Sequence, residues 1–331
     1  MKIYNNTDGS TGYNYSSKGN QLKFQIDDFW YKGDFLGYEG AAEIVTSELL
    51  KNSNVKNFVK YSYKEIEYNN QKINGCVSTN FLKQNESLIT AERLYKSLTN
   101  NSLSEDLAKM SLENKIKYFV NEMSNITNLP YVGEYLTTLL ELDTIILNED
   151  RHFHNIAFIK DENGKYNYAP IFDNGASFLS DIRNEYPLEK NVYGLINDVK
   201  SKPFSTSFDK QMEICEKLYG KQLEFSKNID LKNVFTDIEN AYGSIIKERI
   251  NCVYDNRKFM YQEFFTDVRN LPKWEKNFIE QEYNKILDDN GCIRFISNEE
   301  LQKKILSGDE VKLYSSNIIP QLEKEHTEFE R

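Results

Sequence analysis

The 331-residue sequence predicts an α+β protein of two lobes, a small β-rich lobe carrying one helix and then a large helical lobe. Two observations carry this reading. Up to about residue 82 the apolar residues alternate in short runs separated by Asp and Asn pairs, the period-two signature of half-buried strands. Beyond that point they recur at helical spacing over long runs, and only residues 156–170 interrupt the pattern. The expected boundaries are 1–82 for the first lobe and 83–331 for the second.

Taken in order, LKFQI and FWYKG flank Asp27 and Asp28 and read as a hairpin. EGAAEIVTSELLKNS sets Ala42, Val45, Leu49 and Leu50 at helical spacing and stops at Asn and Ser. FVKYSYKEIEYNNQKINGCVSTNFL alternates and turns at Asn69 and Asn70, a second hairpin. Helical runs follow near 90–99, 104–127 and 131–147. IAFIKDENGKYNYAP is two strands around an Asn163-Gly164 turn, and helical periodicity returns from about 205 to 290.

Hydrophobic residues make up 39% of the chain, charged residues 28% and aromatic residues 13%, a composition that folds rather than stays disordered. A net charge of -10 argues against a broad nucleic-acid-binding face, which needs clustered Lys and Arg. Cys76, Cys215, Cys252 and Cys292 are far apart in sequence, which suggests neither a zinc ribbon nor a disulfide framework. The opening MKIYNNTDGS lacks the apolar core of a signal peptide, and no run is long enough to span a bilayer. A soluble, cytoplasmic protein without membrane attachment is expected.

Chemistry concentrates in NEDRHFHN at 148–155 and APIFDNGAS at 169–177. The hairpin between them returns the chain to its start, which brings Asp150, Asn155 and Asp173 to one cleft. Phosphoryl transfer from ATP uses this set: one carboxylate orients the attacking hydroxyl and takes its proton, while an Asn and a second Asp give hard oxygen ligands to magnesium. The five-residue spacing of Asp150 and Asn155, and the Asp-x-Gly of Asp173 and Gly175, match the protein-kinase signature on a helix, loop, hairpin and turn.

LDTIILNEDRHFHN, with its NxDRHxxN core, and the following PIFDNG resemble the HipA-like serine/threonine kinases, above all the short CtkA-like and HipT-like members. The resemblance covers roughly residues 9–180. It implies a protein-kinase-like bilobed fold, Asp150 as catalytic base, and Asn155 and Asp173 as magnesium ligands. It also implies that YSSKGNQLKF supplies phosphate-binding parts, with Ser17, Gly19, Gln21 and Lys23 matching the family's pattern once one spacer residue is removed. DGSTG at 8–12 competes for that role, so the phosphate loop is assigned to 9–19. Lys32 and Glu43 are the candidates for the phosphate-positioning lysine and its helix glutamate, with Lys23 and Glu48 as competitors. Backbone groups near Val77 to Asn80 are expected to meet adenine.

Each of these residues also has a plainer reading. His152 and His154, with Glu149 or Asp150, have the spacing of a metal pair, but a packed histidine bracing the loop is the simpler account, and the third histidine, His326, is remote. Arg151 is read either as an ion-pair partner of a nearby carboxylate or as a phosphate contact, and Asp143 as a brace of the loop or a substrate contact. Ser10, Ser16 and Ser17 are candidate autophosphorylation sites or solvated loop residues. The expected function is an ATP- and Mg-dependent serine/threonine protein kinase that also labels itself, acting on a protein acceptor and held by a small antitoxin partner. A small-molecule phosphotransferase and a catalytically silent regulatory protein are the alternatives.

Overall fold

The computed structural model describes residues 21–268 and 270–275 with their side chains and, as backbone, short strands at 2–3, 283–287, 293–297 and 312–313. The chain forms two units, 1–274 and 275–331.

In the first unit, strand β1 (Lys2–Ile3) precedes the hairpin of β2 (Lys23–Ile26) and β3 (Phe29–Gly33). Asp27 turns this hairpin in the left-handed backbone region, at φ 51°, a conformation Asp tolerates better than most residues. Helix α1 (Glu39–Lys51) follows. Acidic side chains hold its start: Glu39 accepts from the N–H groups of Phe35, Leu36 and Gly37 in the approach, and Asp34 Oδ1 accepts from Gly40 in the first turn. Ala41, Ala42, Val45, Leu49 and Leu50 sink into the main core, while Ile44 packs with Val59, Tyr61 and Cys76.

After β4 (Ser62–Tyr63), strands β5 (Ile66–Tyr68) and β6 (Gln71–Ile73) meet at Asn69 and Asn70, both with positive φ, as a two-residue hairpin turn requires. Strand β7 (Gly75–Thr79) then enters a four-stranded sheet in the order β2-β3-β7-β4, and β1 pairs in parallel with β5. The close packing of β7 on β3 needs Gly75: a Cβ there would lie 2.1 Å from the Lys32 carbonyl oxygen.

The next strand, β8 (Ser87–Thr90), falls where the composition pointed to helix. It is four residues long, too short to show a period, and is stabilised by pairing with β9 (Ala157–Lys160) far along the chain. Helices α2 (Ala91–Thr99), α3 (Leu103–Leu107), α4 (Leu112–Thr127) and α5 (Val132–Ile146) lie between these strands. Thr90 and Ser111 cap α2 and α4 with their hydroxyl oxygens, and both helices end at a left-handed Asn. Helix α5 is buried on almost every face, which marks it as the central helix of its lobe.

Strand β9 turns at Asn163-Gly164 into β10 (Tyr166–Tyr168), as the sequence predicts. A stretch without regular elements leads to α6 (Val192–Asp198), α7 (Phe208–Tyr219), β11 (Phe225–Ser226), α8 (Lys232–Tyr242), α9 (Ser244–Met260) and β12 (Phe265–Thr266). The second unit holds β13 (Tyr283–Leu287) between β14 (Ile293–Ser297) and β15 (Lys312–Leu313). The helical reading of 205–290 therefore extends too far: YNKIL is rich in branched and aromatic residues and forms an antiparallel ladder. Among the described residues no helix is long and apolar enough to cross a membrane.

Helices α5 and α7 meet closely at Gly133, where a Cβ would come 2.3 Å from the Tyr219 ring. Gly133→Ala gains up to about 1 kcal/mol of helix propensity but forces the ring aside at about 1–3 kcal/mol. The expected net result is a loss of stability in urea unfolding. In a Tyr219→Ala background the same substitution should become neutral or stabilising.

Candidate functional site

Helix α5 ends at Leu147 in the left-handed region, and the chain turns there into NEDRHFHN. The loop alternates. Arg151 and Phe153 point inward and are buried, His152 and Asn155 are half-buried, and His154 is exposed.

The Arg151 guanidinium is fully buried and all of its N–H groups find acceptors. Nε and Nη2 donate to Asp143 at 3.0 Å, Nη1 to the carbonyls of Asn155 and Phe172 at 3.1 Å, and Nη2 also to Asn174 Oδ1 at 2.6 Å. Arg151 is therefore a brace, with no donor left for a phosphate. Burial pushes the Asp143 carboxyl up, against the opposing pull of Arg151 and the Asn148 amide. Asp143 thus braces the loop too. Asn155 Nδ2 donates to the Asp150 carbonyl at 2.9 Å, which closes the loop on itself. Phe153 stacks on Phe119 at 5.5 Å and meets the edge of Phe204 at 5.4 Å.

Opposite this loop, Lys32 Nζ donates to Glu43 at 2.5 Å, Asp173 at 2.9 Å and the Tyr61 hydroxyl at 3.2 Å. The other Glu43 oxygen accepts from the backbone N–H of Asn174 at 2.9 Å. One glutamate of α1 thus holds both the strand lysine and the Asp-x-Gly turn. Glu48, the competitor, pairs instead with Lys51. Lys23 stands beside Lys32 and reaches Asp173 at 3.3 Å, because the hairpin register sets these two residues opposite each other. Asp173 itself has φ 57°.

Asp173, Asn155 and the two lysines form the polar end of a cleft of about 1020 Å³, whose wall is apolar at Trp30, Val59, Phe81, Leu88 and Phe172. Of the segment 77–80, Ser78 and Asn80 reach this cleft, while Val77 is held in the ladder between β3 and β4. A second hollow borders the same polar end and is lined by Asp150, Phe35, Leu36 and Asp181. The structure therefore brings together Asp150, Asn155, Asp173, Lys32, Glu43 and Lys23. Ser17, Gly19, the rest of the loop 9–19, and His326 lie outside the described residues.

No family model and no curated protein matches the chain. Among solved structures it is similar to the proinflammatory kinase CtkA of Helicobacter pylori, with a TM-score of 0.50 and 17% identity over 75% of this chain and 93% of that one. The chain shares the fold of that kinase. A HipA of Shewanella oneidensis MR-1, solved with HipB and operator DNA, aligns more loosely, with a TM-score of 0.35 and 11% identity over 81% of this chain and 59% of that one.

Within this fold, the reading of His152 and His154 as a metal pair gives way to packing. Their rings stand edge to face at 5.6 Å, and His152 Nε2 faces Asp150 Oδ2 at 3.6 Å. Burial lowers the His152 pKa, against the weaker pull of Asp150. Among the described residues no three His, Cys, Asp or Glu side chains converge as a zinc site would need. Two residues of the site carry no sequence motif. Tyr61 lies under Lys32, and Lys202 Nζ donates to Asp150 Oδ1 at 2.8 Å.

The charges of the cluster lock one another. Burial opposes the Asp173 charge, but Lys23 and Lys32 outweigh it and hold the carboxyl well below the usual carboxylate range. Burial likewise opposes the Lys32 charge, and Asp173 and Glu43 outweigh it and raise its pKa. The Asp173 contribution to stability is complete above its unfolded value near ~3.9 and is lost as pH falls toward the depressed folded value. The Lys32 contribution is complete below ~10.4 and is lost as pH rises through the raised folded value. Urea midpoints measured against pH should fall less steeply below about pH 4 in Asp173→Asn than in the native protein, with a constant difference between about pH 5 and 9. Arg151→Met should cost about 3–5 kcal/mol, since it leaves Asp143 buried without its counter-charge, and adding Asp143→Leu should recover much of that loss in the same assay.

Proposed function

We propose that the chain is an ATP- and Mg-dependent kinase that transfers the γ-phosphate to serine or threonine of a protein acceptor, and to itself. The observation that carries this reading is the joint arrangement of Asp150, Asn155 and Asp173 with the Lys32–Glu43 pair at the polar end of an apolar cleft. Residues 1–82 serve as the nucleotide-binding lobe, and the chain from 83 onward supplies the catalytic loop.

The apolar wall suits a flat base, and the ammonium groups of Lys23 and Lys32 suit phosphate oxygens. Asn155 donates its Nδ2 to the loop, which leaves Oδ1 as the atom to turn toward a cation, and Asp173 offers a carboxylate. An amide oxygen and a carboxylate are hard donors that would fit magnesium. When bound, the cation neutralises charge on the phosphates. Asp150 takes the proton of the acceptor hydroxyl as its oxygen bonds to the γ-phosphorus. The bond from that phosphorus to the β–γ bridging oxygen breaks, and its electron pair leaves on ADP. By the family resemblance of NEDRHFHN, we further propose a small protein partner of antitoxin type.

Incubation with γ-labelled ATP and Mg should place label in protein. Asp150→Asn and Asp173→Asn should each lower the labelling rate by roughly 10²–10⁴-fold while still unfolding cooperatively. Labelling at the native rate by either variant would refute the role assigned to that carboxylate. Label found only in a small molecule would make the protein a metabolite phosphotransferase instead.

A further inference from the structure

We propose that Lys202 is a catalytic lysine, a cation that meets the transferring phosphoryl group from the acceptor side. The inference rests on the kinase reading above and extends its catalytic set.

Phosphoryl transfer develops negative charge that must be met by fixed positive charge. The two cleft lysines stand on the nucleotide side, at Asp173, and Asp150 has its own ammonium. Every Arg151 donor is consumed in the interior. Lys202 makes the ion pair that fixes Asp150, with Nζ at 2.8 Å from Oδ1, and its side chain is 45% exposed. A base must stand within roughly 2.6–3.2 Å of the hydroxyl it deprotonates, and reacting atoms approach to about 3–3.5 Å. An ammonium already on the carboxylate of that base is therefore within side-chain reach of the γ-phosphate.

The backbone around Lys202 is built to present it. Gln211, fully buried, donates its Nε2 to the Lys202 carbonyl at 2.9 Å and accepts from the N–H groups of Phe204 and Ser205. Ser201 Oγ donates to the Ser205 carbonyl at 2.7 Å. Phe204 packs against Phe153 of the catalytic loop and against Phe119, which ties the two segments together. The Lys202 side chain stays half-exposed beside a buried carboxylate, so its ammonium keeps access to an incoming group.

In the transfer step Lys202 keeps its proton throughout. The hydroxyl proton goes to Asp150, the new bond forms between acceptor oxygen and phosphorus, and the leaving electron pair stays with ADP. The ammonium gains hydrogen bonds to the phosphoryl oxygens as they leave the nucleotide.

The experiment compares the native protein, Lys202→Met and Lys202→Cys in single-turnover labelling with γ-labelled ATP, with a fluorescent ATP analogue titrated in parallel. Both variants should label about 10²-fold more slowly, with analogue affinity within about threefold of native. Treating Lys202→Cys with 2-bromoethylamine restores an ammonium on a side chain of lysine length and should recover at least tenfold in rate, while the same treatment leaves the native rate unchanged. A rate within twofold of native in Lys202→Met, or no recovery on aminoethylation, would overturn the proposal. A native protein that binds the analogue but transfers no label would instead overturn the kinase reading, and this inference with it.

Discussion

The buried Arg151–Asp143 pair is the constraint on which the site depends. Arg151 ties distant pieces of chain together: the end of α5 through Asp143, the closing residue of the loop through the Asn155 carbonyl, and the Asp-x-Gly turn through Phe172 and Asn174. A guanidinium suits this place because its donors are planar, fixed in direction and always charged. Lysine would bring a point charge and leave acceptors unmet. The pair is costly to bury and gives geometry in return: Asp150 and Asn155 cannot drift from Asp173 without breaking hydrogen bonds that water cannot replace.

Glu43 plays the matching part across the cleft. One of its oxygens holds Lys32 and the other holds the Asn174 backbone, so α1, β3 and the Asp-x-Gly turn share a single carboxylate. Tyr38 reinforces the connection, since its hydroxyl donates to the carbonyls of Phe178 and Leu179. Those two residues both sit at positive φ, a strained conformation for bulky side chains. The hydrogen bonds to Tyr38 offset that strain and hold the segment after the Asp-x-Gly turn against the start of α1.

What can be read from the sequence follows the range of each interaction. The turns at Asp27, at Asn69 and Asn70, and at Asn163 and Gly164 are legible because turn chemistry is local. Asp150, Asn155 and Asp173 are legible because their spacing is short and the connecting hairpin closes on itself. Strand β8 is not, since only its pairing with β9 gives it strand character. The contest between Lys23 and Lys32 resolves in the hairpin register. A two-residue turn at Asp27 and Asp28 sets Lys23 opposite Lys32 on one face, so both reach Asp173. Lys202 has no such signal, because its contact with Asp150 arises from packing of Phe204 on Phe153 and from a bond to Gln211.

The chain carries a net charge of -10, which would repel a polyphosphate over most of its surface. Around Asp173 and Asp150 the charge is balanced locally. Lys23, Lys32 and Lys202 stand over Glu43, Asp150 and Asp173, so three ammonium groups balance three carboxylates in the absence of ligand. Balance of this kind keeps the half-buried charges from destabilising the protein, and it also sets the terms of binding. Under the proposed function, phosphate oxygens would enter by taking ammonium groups from carboxylates, and a divalent cation would meet the carboxylate released at Asp173. On that reading an acidic protein binds an anion because specificity for it resides in the exchange of partners and not in a positive surface.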